Sequence, residues 1–130
     1  MEALHHMLIR TLKDCAEFIS GDGCVLRDIL HPDKMDLKLG YSLAHAIVHP
    51  GDITLPHRLK TSEVYYIIEG EGIMHIDDET AVVRAGATIS IPPKAVQFIE
   101  NSGKTDLVFL AIVDPAWRQE DEEILTEGCL

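Results

Sequence analysis

Gly51-Asp52-Ile53-Thr54-Leu55-Pro56-His57-Arg58-Leu59-Lys60-Thr61-Ser62-Glu63-Val64-Tyr65-Tyr66-Ile67-Ile68-Glu69-Gly70-Glu71-Gly72 is the stretch around which the chain is organised. It reads as a glycine turn, a short strand carrying His57, a loop, a second strand opened by Glu63, and a glycine-rich turn. Strand parity puts Glu63, Tyr65 and Ile67 on one face and Val64, Tyr66 and Ile68 on the other. An imidazole and a carboxylate a few residues apart on neighbouring strands suit a metal ion. They suit acid/base work equally well.

Downstream the same rhythm continues. Ile73 to Asp77, Ala81 to Arg84, Thr88 to Ile91, Ala95 to Glu100 and Leu107 to Val113 are short and rich in Val, Ile and Phe. Turn chemistry separates them: Asp77-Asp78-Glu79, Ala85-Gly86, Pro92-Pro93 and Asn101-Ser102-Gly103. Many short strands punctuated in this way predict an all-β sandwich or barrel. The acidic Asp77-Asp78-Glu79 run lacks the further ligands of a calcium loop and reads as a hairpin turn.

Upstream, Tyr41 to His49 reads as a buried strand ending at Pro50-Gly51, with His45 and His49 outward or at the strand end. Cys24 to Leu30 and Met7 to Lys13 read as two further strands. His31-Pro32-Asp33 is turn chemistry, because a residue before proline is pushed out of the helical region. His5 and His6 read as a disordered end able to hold adventitious metal.

The chain has 130 residues, 46% of them apolar, which predicts one globular domain with a real core. The expected divisions are 1-130 as a single domain, with N-terminal strands over 7-31, a barrel over about 40-113, and an acidic tail over 114-130. No apolar run is long enough to span a membrane, and the N-terminus lacks the pattern of a signal peptide, so a cytoplasmic protein is expected. A net charge of −11 argues against nucleic acid and anionic membranes as partners. Cys15, Cys24 and Cys129 form no paired spacing and read as reduced thiols. Trp117 is the expected apolar pin of the tail.

Gly51 to Gly70 resembles the first motif of the cupin superfamily, in which Gly is followed by His-x-His, Glu and Gly. His57, Glu63 and Gly70 fall in register; Leu59 stands in place of the second His. Gly86-Ala87-Thr88-Ile89-Ser90-Ile91-Pro92-Pro93-Lys94-Ala95-Val96-Gln97-Phe98-Ile99-Glu100-Asn101 resembles the second motif. Gly86, Pro92 and Asn101 match, while Lys94 replaces a Gly and Gln97 a His. About fifteen residues lie between Gly70 and Gly86, a spacing similar to that of small single-domain microbial cupins.

The resemblance implies a double-stranded β-helix, a jelly-roll barrel with its site inside the mouth, and a homodimer. It implies a divalent metal ion (iron, manganese, nickel or zinc) held at the positions of His57, Leu59, Glu63 and Gln97. Leu cannot ligate and Gln ligates weakly, so His57, Glu63 and Gln97 remain, with His75 as a possible extra ligand. Three functions stay open. The first is a metal-assisted enzyme similar to the dioxygenases, isomerases and lyases of the superfamily. The second is a metal-free epimerase-like enzyme with His57 as base and Tyr65 as acid. For a phosphorylated substrate it would draw on Arg58, Lys60, Arg84 or Lys94 as clamps. The third is a module or sensor that holds a small ligand without turnover.

Overall fold

The computed structural model describes residues 7–125; His5, His6 and Cys129 lie outside the described residues. Eleven strands follow one another: β1 (Glu17–Ile19), β2 (Val25–Leu30), β3 (Ser42–Val48), β4 (His57–Leu59), β5 (Ser62–Glu69), β6 (Glu71–Ile76), β7 (Glu79–Arg84), β8 (Thr88–Ile91), β9 (Gln97–Asn101), β10 (Leu107–Asp114) and β11 (Glu122–Ile124). The described helix is confined to two 3-10 turns, Leu12–Asp14 and Gln119–Asp121. No described helix is long and apolar enough to cross a membrane.

The strands form two antiparallel sheets, ordered β1-β2-β3-β10-β5-β8 and β11-β4-β9-β6-β7. They face each other as the jelly-roll barrel implied by the sequence. Alternation decides which side chains meet between them. In β5, Glu63, Tyr65 and Ile67 point inward while Tyr66 is exposed. In β10, Leu107, Phe109, Ala111 and Val113 do the same. Ile67, Ile91, Ile99, Leu107 and Phe109 are the largest apolar side chains fully removed from solvent. Each contributes roughly 1.5–3 kcal/mol by burial.

The chain passes from the larger sheet to the smaller one between β5 and β6, at Gly70. Its φ is +91°, and a Cβ there would lie 2.5 Å from the Asp106 carbonyl oxygen. Only glycine suits both conditions. Lys94, at a family glycine position, also holds a left-handed backbone, with φ 72°. This turn delays β9 to Gln97, two residues beyond its expected start.

Three expectations are corrected. Met7 to Lys13 is not a strand: it runs into a 3-10 turn, and the first strand is β1, at Glu17–Ile19. Met7 and Ile9 are largely exposed, so no partner sheet rewards their apolar character. The hairpin at Asp77 is one residue tighter than expected, because Glu79 already pairs with Ile76. The Asp77 carboxylate accepts the Val96 N–H at 2.9 Å. Finally, the acidic segment after Asp114 folds back onto the barrel. β11 pairs with β4 through Glu122↔Leu59, Glu123↔Arg58 and Ile124↔His57. Composition concealed this, since the acidic groups can face solvent while the backbone pairs.

Candidate functional site

A cavity of about 160 Å³ opens between the larger sheet and the β4–β11 pair. Its existence has a sequence cause. Ala44 and Ala111 are directly paired across β3 and β10, and Ala46 sits opposite Phe109. Small side chains at these inward positions leave room that larger residues would fill. Tyr65 and Phe109, in ring contact at 4.3 Å, form the apolar floor. Phe18, Leu59 and Trp117 line other parts of the wall.

The structure brings His57, Glu63, Tyr65 and Gln97 together at this floor. β4 and β9 meet at His57↔Gln97. Tyr65 donates its hydroxyl hydrogen to Gln97 Oε1 at 3.0 Å, and Gln97 Nε2 donates to Glu63 Oε1 at 2.8 Å. Both ends of the Gln97 amide are therefore engaged. Burial is the main cause that pushes the Glu63 carboxyl up to about 8, against the opposing Gln97 hydrogen bond and with Asp22 and Glu122 adding to the rise. Burial also pushes the Tyr65 hydroxyl up, helped by the Glu63 charge.

His57 is buried and donates Nδ1–H to the Leu55 carbonyl at 2.8 Å. That bond fixes the tautomer and leaves Nε2 for the cavity. Asp22 Oδ2 lies 3.5 Å from Nε2. Asp22 is itself buried; its Oδ1 accepts from the Ser20 hydroxyl and from the Cys24 N–H at 3.3 Å. Burial and the neighbouring Asp22 push the Cys24 thiol well above its ordinary range. Glu122, on β11, completes this side of the cavity. Burial raises its carboxyl, with His57 opposing and Asp22 adding to the shift.

Asp22 and Glu122 escaped the sequence reading. Asp22 sits between Gly21 and Gly23, where turn chemistry is expected, and only its packing against His57 distinguishes it. Glu122 is one of a run of acids, and only the β11–β4 pairing selects it. His75 is on the outer face, stacked on Phe98 and bonded to Glu100 Oε2 at 2.6 Å, so it does not complete a ligand set. His45 is half-buried beside Arg27, and His49 bonds Asp106 at 2.9 Å; neither lines the cavity. Arg58, Lys60, Arg84 and Lys94 do not line it either. Arg58 instead pairs with Glu123 at 2.8 Å. His31 is a loop residue as expected, yet it is buried and bonds the Trp117 carbonyl at 2.7 Å.

The donor set does not fit a divalent metal. Gln97 offers only a neutral amide oxygen that already accepts from Tyr65, Leu59 fills an inward position with carbon, and burial holds Glu63 toward its neutral form. Among the described residues, no three His, Cys, Asp or Glu side chains are grouped to hold an ion. A typical catalytic zinc has three protein ligands.

Comparison with known proteins follows the same lines. An uncharacterised protein of Methanocaldococcus jannaschii is 45% identical over 109 residues, spanning 83% of this chain and 86% of its own. An oxalate-binding protein of Thermotoga maritima is 39% identical over 51 residues, or 39% of this chain and 42% of its own. The polyketide cyclase RemF of Streptomyces resistomycificus superposes with a TM-score of 0.78 at 18% identity, covering 92% of this chain and 86% of its own, a likeness of fold. The cupin-domain family model matches residues 44–113, the span that carries both motifs and the strands from β3 to β10. With its motif strands, its jelly-roll sheets and that match in agreement, the chain belongs to the cupin family.

Proposed function

We propose that this cupin binds a small molecule in the cavity above Tyr65, and that recognition and any chemistry run through hydrogen bonds and proton transfer rather than a bound metal. The observation that carries this reading is the cavity itself, whose mostly apolar lining holds a few convergent polar groups, Asp22, His57, Glu63 and Glu122. His57 Nε2 lies 3.5 Å from Asp22 Oδ2, and Gln97 holds Glu63 through Oε1. An enclosed apolar lining with a few placed polar groups is what a small-molecule site offers.

The roles follow from the geometry. His57, with its Nδ1–H engaged by Leu55, acts as the acceptor or base at Nε2. Glu63, neutral around pH 7, acts as donor or acid. Tyr65, first expected as the acid, is better suited to hold Gln97, and through it Glu63, in place. The substrate class of the relatives varies too widely to transfer to this chain. The apolar residues on the exposed edge strand β1, Phe18 and Ile19, support a homodimer that covers this edge.

Elemental analysis of protein prepared without nickel or chelator tests the metal-independent reading. The native chain is expected to carry less than stoichiometric metal, and ligand binding is expected to persist in chelator. Leu59→His, which adds an imidazole to the cavity wall beside His57, is expected to take up metal. Stoichiometric metal in the native chain, lost in His57→Ala along with ligand affinity, would sink the proposal.

A further inference from the structure

The charge of the cavity wall narrows the ligand, given that a small molecule binds there. We propose that the pocket takes a small organic cation, with a protonated amine or amidine head carried on an apolar body. The head would sit between His57, Asp22 and Glu122, and the body against Tyr65, Phe109 and Trp117.

Three observations converge. First, the wall is rich in acceptors and poor in donors. Asp22, Asp28, Glu63 and Glu122 line it, against Lys34 as the one ammonium or guanidinium among the described lining residues. Lys34 is already paired with Asp28. Second, Asp22 Oδ2 faces the cavity side of His57, 3.5 Å from Nε2, with the Cys24 thiol its other neighbour at 3.8 Å. Neither contact is short, so the carboxylate keeps acceptor capacity for an N–H from a ligand. The side chains involved are firmly buried: His57 is 2% exposed, Glu63 7% and Asp22 8%. Third, the rest of the lining includes the rings of Tyr65, Phe109 and Trp117. Ring faces attract cations as well as apolar bodies, and the pairing of Ala44 with Ala111 leaves space for a ring-sized group.

An anion meets the reverse of each feature. A carboxylate placed at His57 would lie beside Asp22 and Glu122 in a site of low dielectric, where like charges repel strongly. Other cationic side chains do not compensate, since none of Arg58, Lys60, Arg84 or Lys94 lines the wall.

The test uses probes with one body and three heads: cyclohexylamine, cyclohexanol and cyclohexanecarboxylate, with oxalate as a compact dianion. Trp117 is the sole tryptophan of the chain and lines the cavity, so its fluorescence reports occupancy on the unmodified protein. At neutral pH, cyclohexylamine is expected to saturate the signal at a concentration at least tenfold below that of the carboxylate, with the alcohol between them and no saturation by oxalate. Glu122→Gln, at the half-buried rim, is expected to shrink the amine-to-carboxylate ratio at least threefold, as read by calorimetry. If the carboxylate or the alcohol binds as tightly as the amine, the cation inference falls while the pocket reading stands. If none of the three ring compounds gives a saturable change, both fall.

Discussion

Glu63 is the residue whose burial has the most measurable consequence. Its carboxyl moves from 4.5 to about 8 on folding. Between those pH values the folded state holds a proton that the unfolded chain has released. Stability is therefore highest below about pH 4.5 on account of this group, and falls as pH rises toward 8, by up to a few kcal/mol. Glu63→Gln keeps the shape and the acceptor for Gln97 Nε2 but cannot ionise. Urea denaturation at pH 5 and pH 8 is expected to show a smaller loss of stability in the variant than in the parent. Equal slopes in the two proteins would remove Glu63 as the cause. Lys94 offers a second test at this scale. Its φ of 72° costs a side-chain-bearing residue roughly 1–2 kcal/mol. Glycine at this site relieves that strain but loses part of the gain through its more flexible unfolded state. Lys94→Gly is expected to stabilise the chain by about 0.5–1 kcal/mol, since the Lys94 N–H to Leu59 carbonyl bond of 2.7 Å is retained. A lowered melting temperature would contradict this.

Among elements, the β5–β6 crossing and β11 carry opposite lessons about what a sequence discloses. Gly70 was legible, because a glycine set between two alternating strand patterns marks the point where the backbone must turn. Its replacement by Ala combines a left-handed φ with a backbone clash. Gly70→Ala is expected to destabilise by more than about 2 kcal/mol, the range reached by strained and overpacked sites, read from chemical denaturation. β11 was illegible. Three residues in an acidic run have no apolar alternation to betray a strand, and their pairing depends on β4 being at hand. Deleting residues 118–130 removes this strand, the Arg118–Asp33 pair at 2.8 Å and part of the cavity wall. The truncated chain is expected to fold, because the buried cluster around Ile67 and Phe109 lies outside the deletion. It is also expected to melt several degrees lower and to bind the cavity probes less tightly. Unchanged probe affinity would show that β11 takes no part in the site.

For the whole molecule, the barrel was legible because period-two patterning and turn residues agree over most of the chain. The motif positions made one cluster legible, since His57, Glu63 and Gln97 do lie together. Asp22 was not, because it comes from a loop more than thirty residues before His57 and only tertiary packing brings the two side chains together. The first strand was misplaced for a related reason. Met7 to Lys13 has the right composition, but an edge strand forms where a neighbour is available, and β2 offers its register to Glu17–Ile19. The homodimer can be checked on the intact chain: sedimentation at micromolar concentration is expected to give twice the monomer mass of 14.4 kDa. A single monomeric species would set it aside.

The fold-back of β11 also gives the site a clock. The Lys60 N–H is bonded to the Asp121 carbonyl at 2.9 Å, and the Leu125 N–H to the Pro56 carbonyl at 2.8 Å. These two amides can exchange with deuterium only when the end of the chain lifts from β4. Glu122, between them in sequence, faces the cavity, so an occupant held by its carboxylate must leave before that lifting occurs. Ligand affinity and the exchange times of Lys60 and Leu125 are thus two readings of one equilibrium. An occupant at about one hundred times its dissociation constant slows both amides about a hundredfold, while amides exposed by local openings that leave the cavity intact keep their rates.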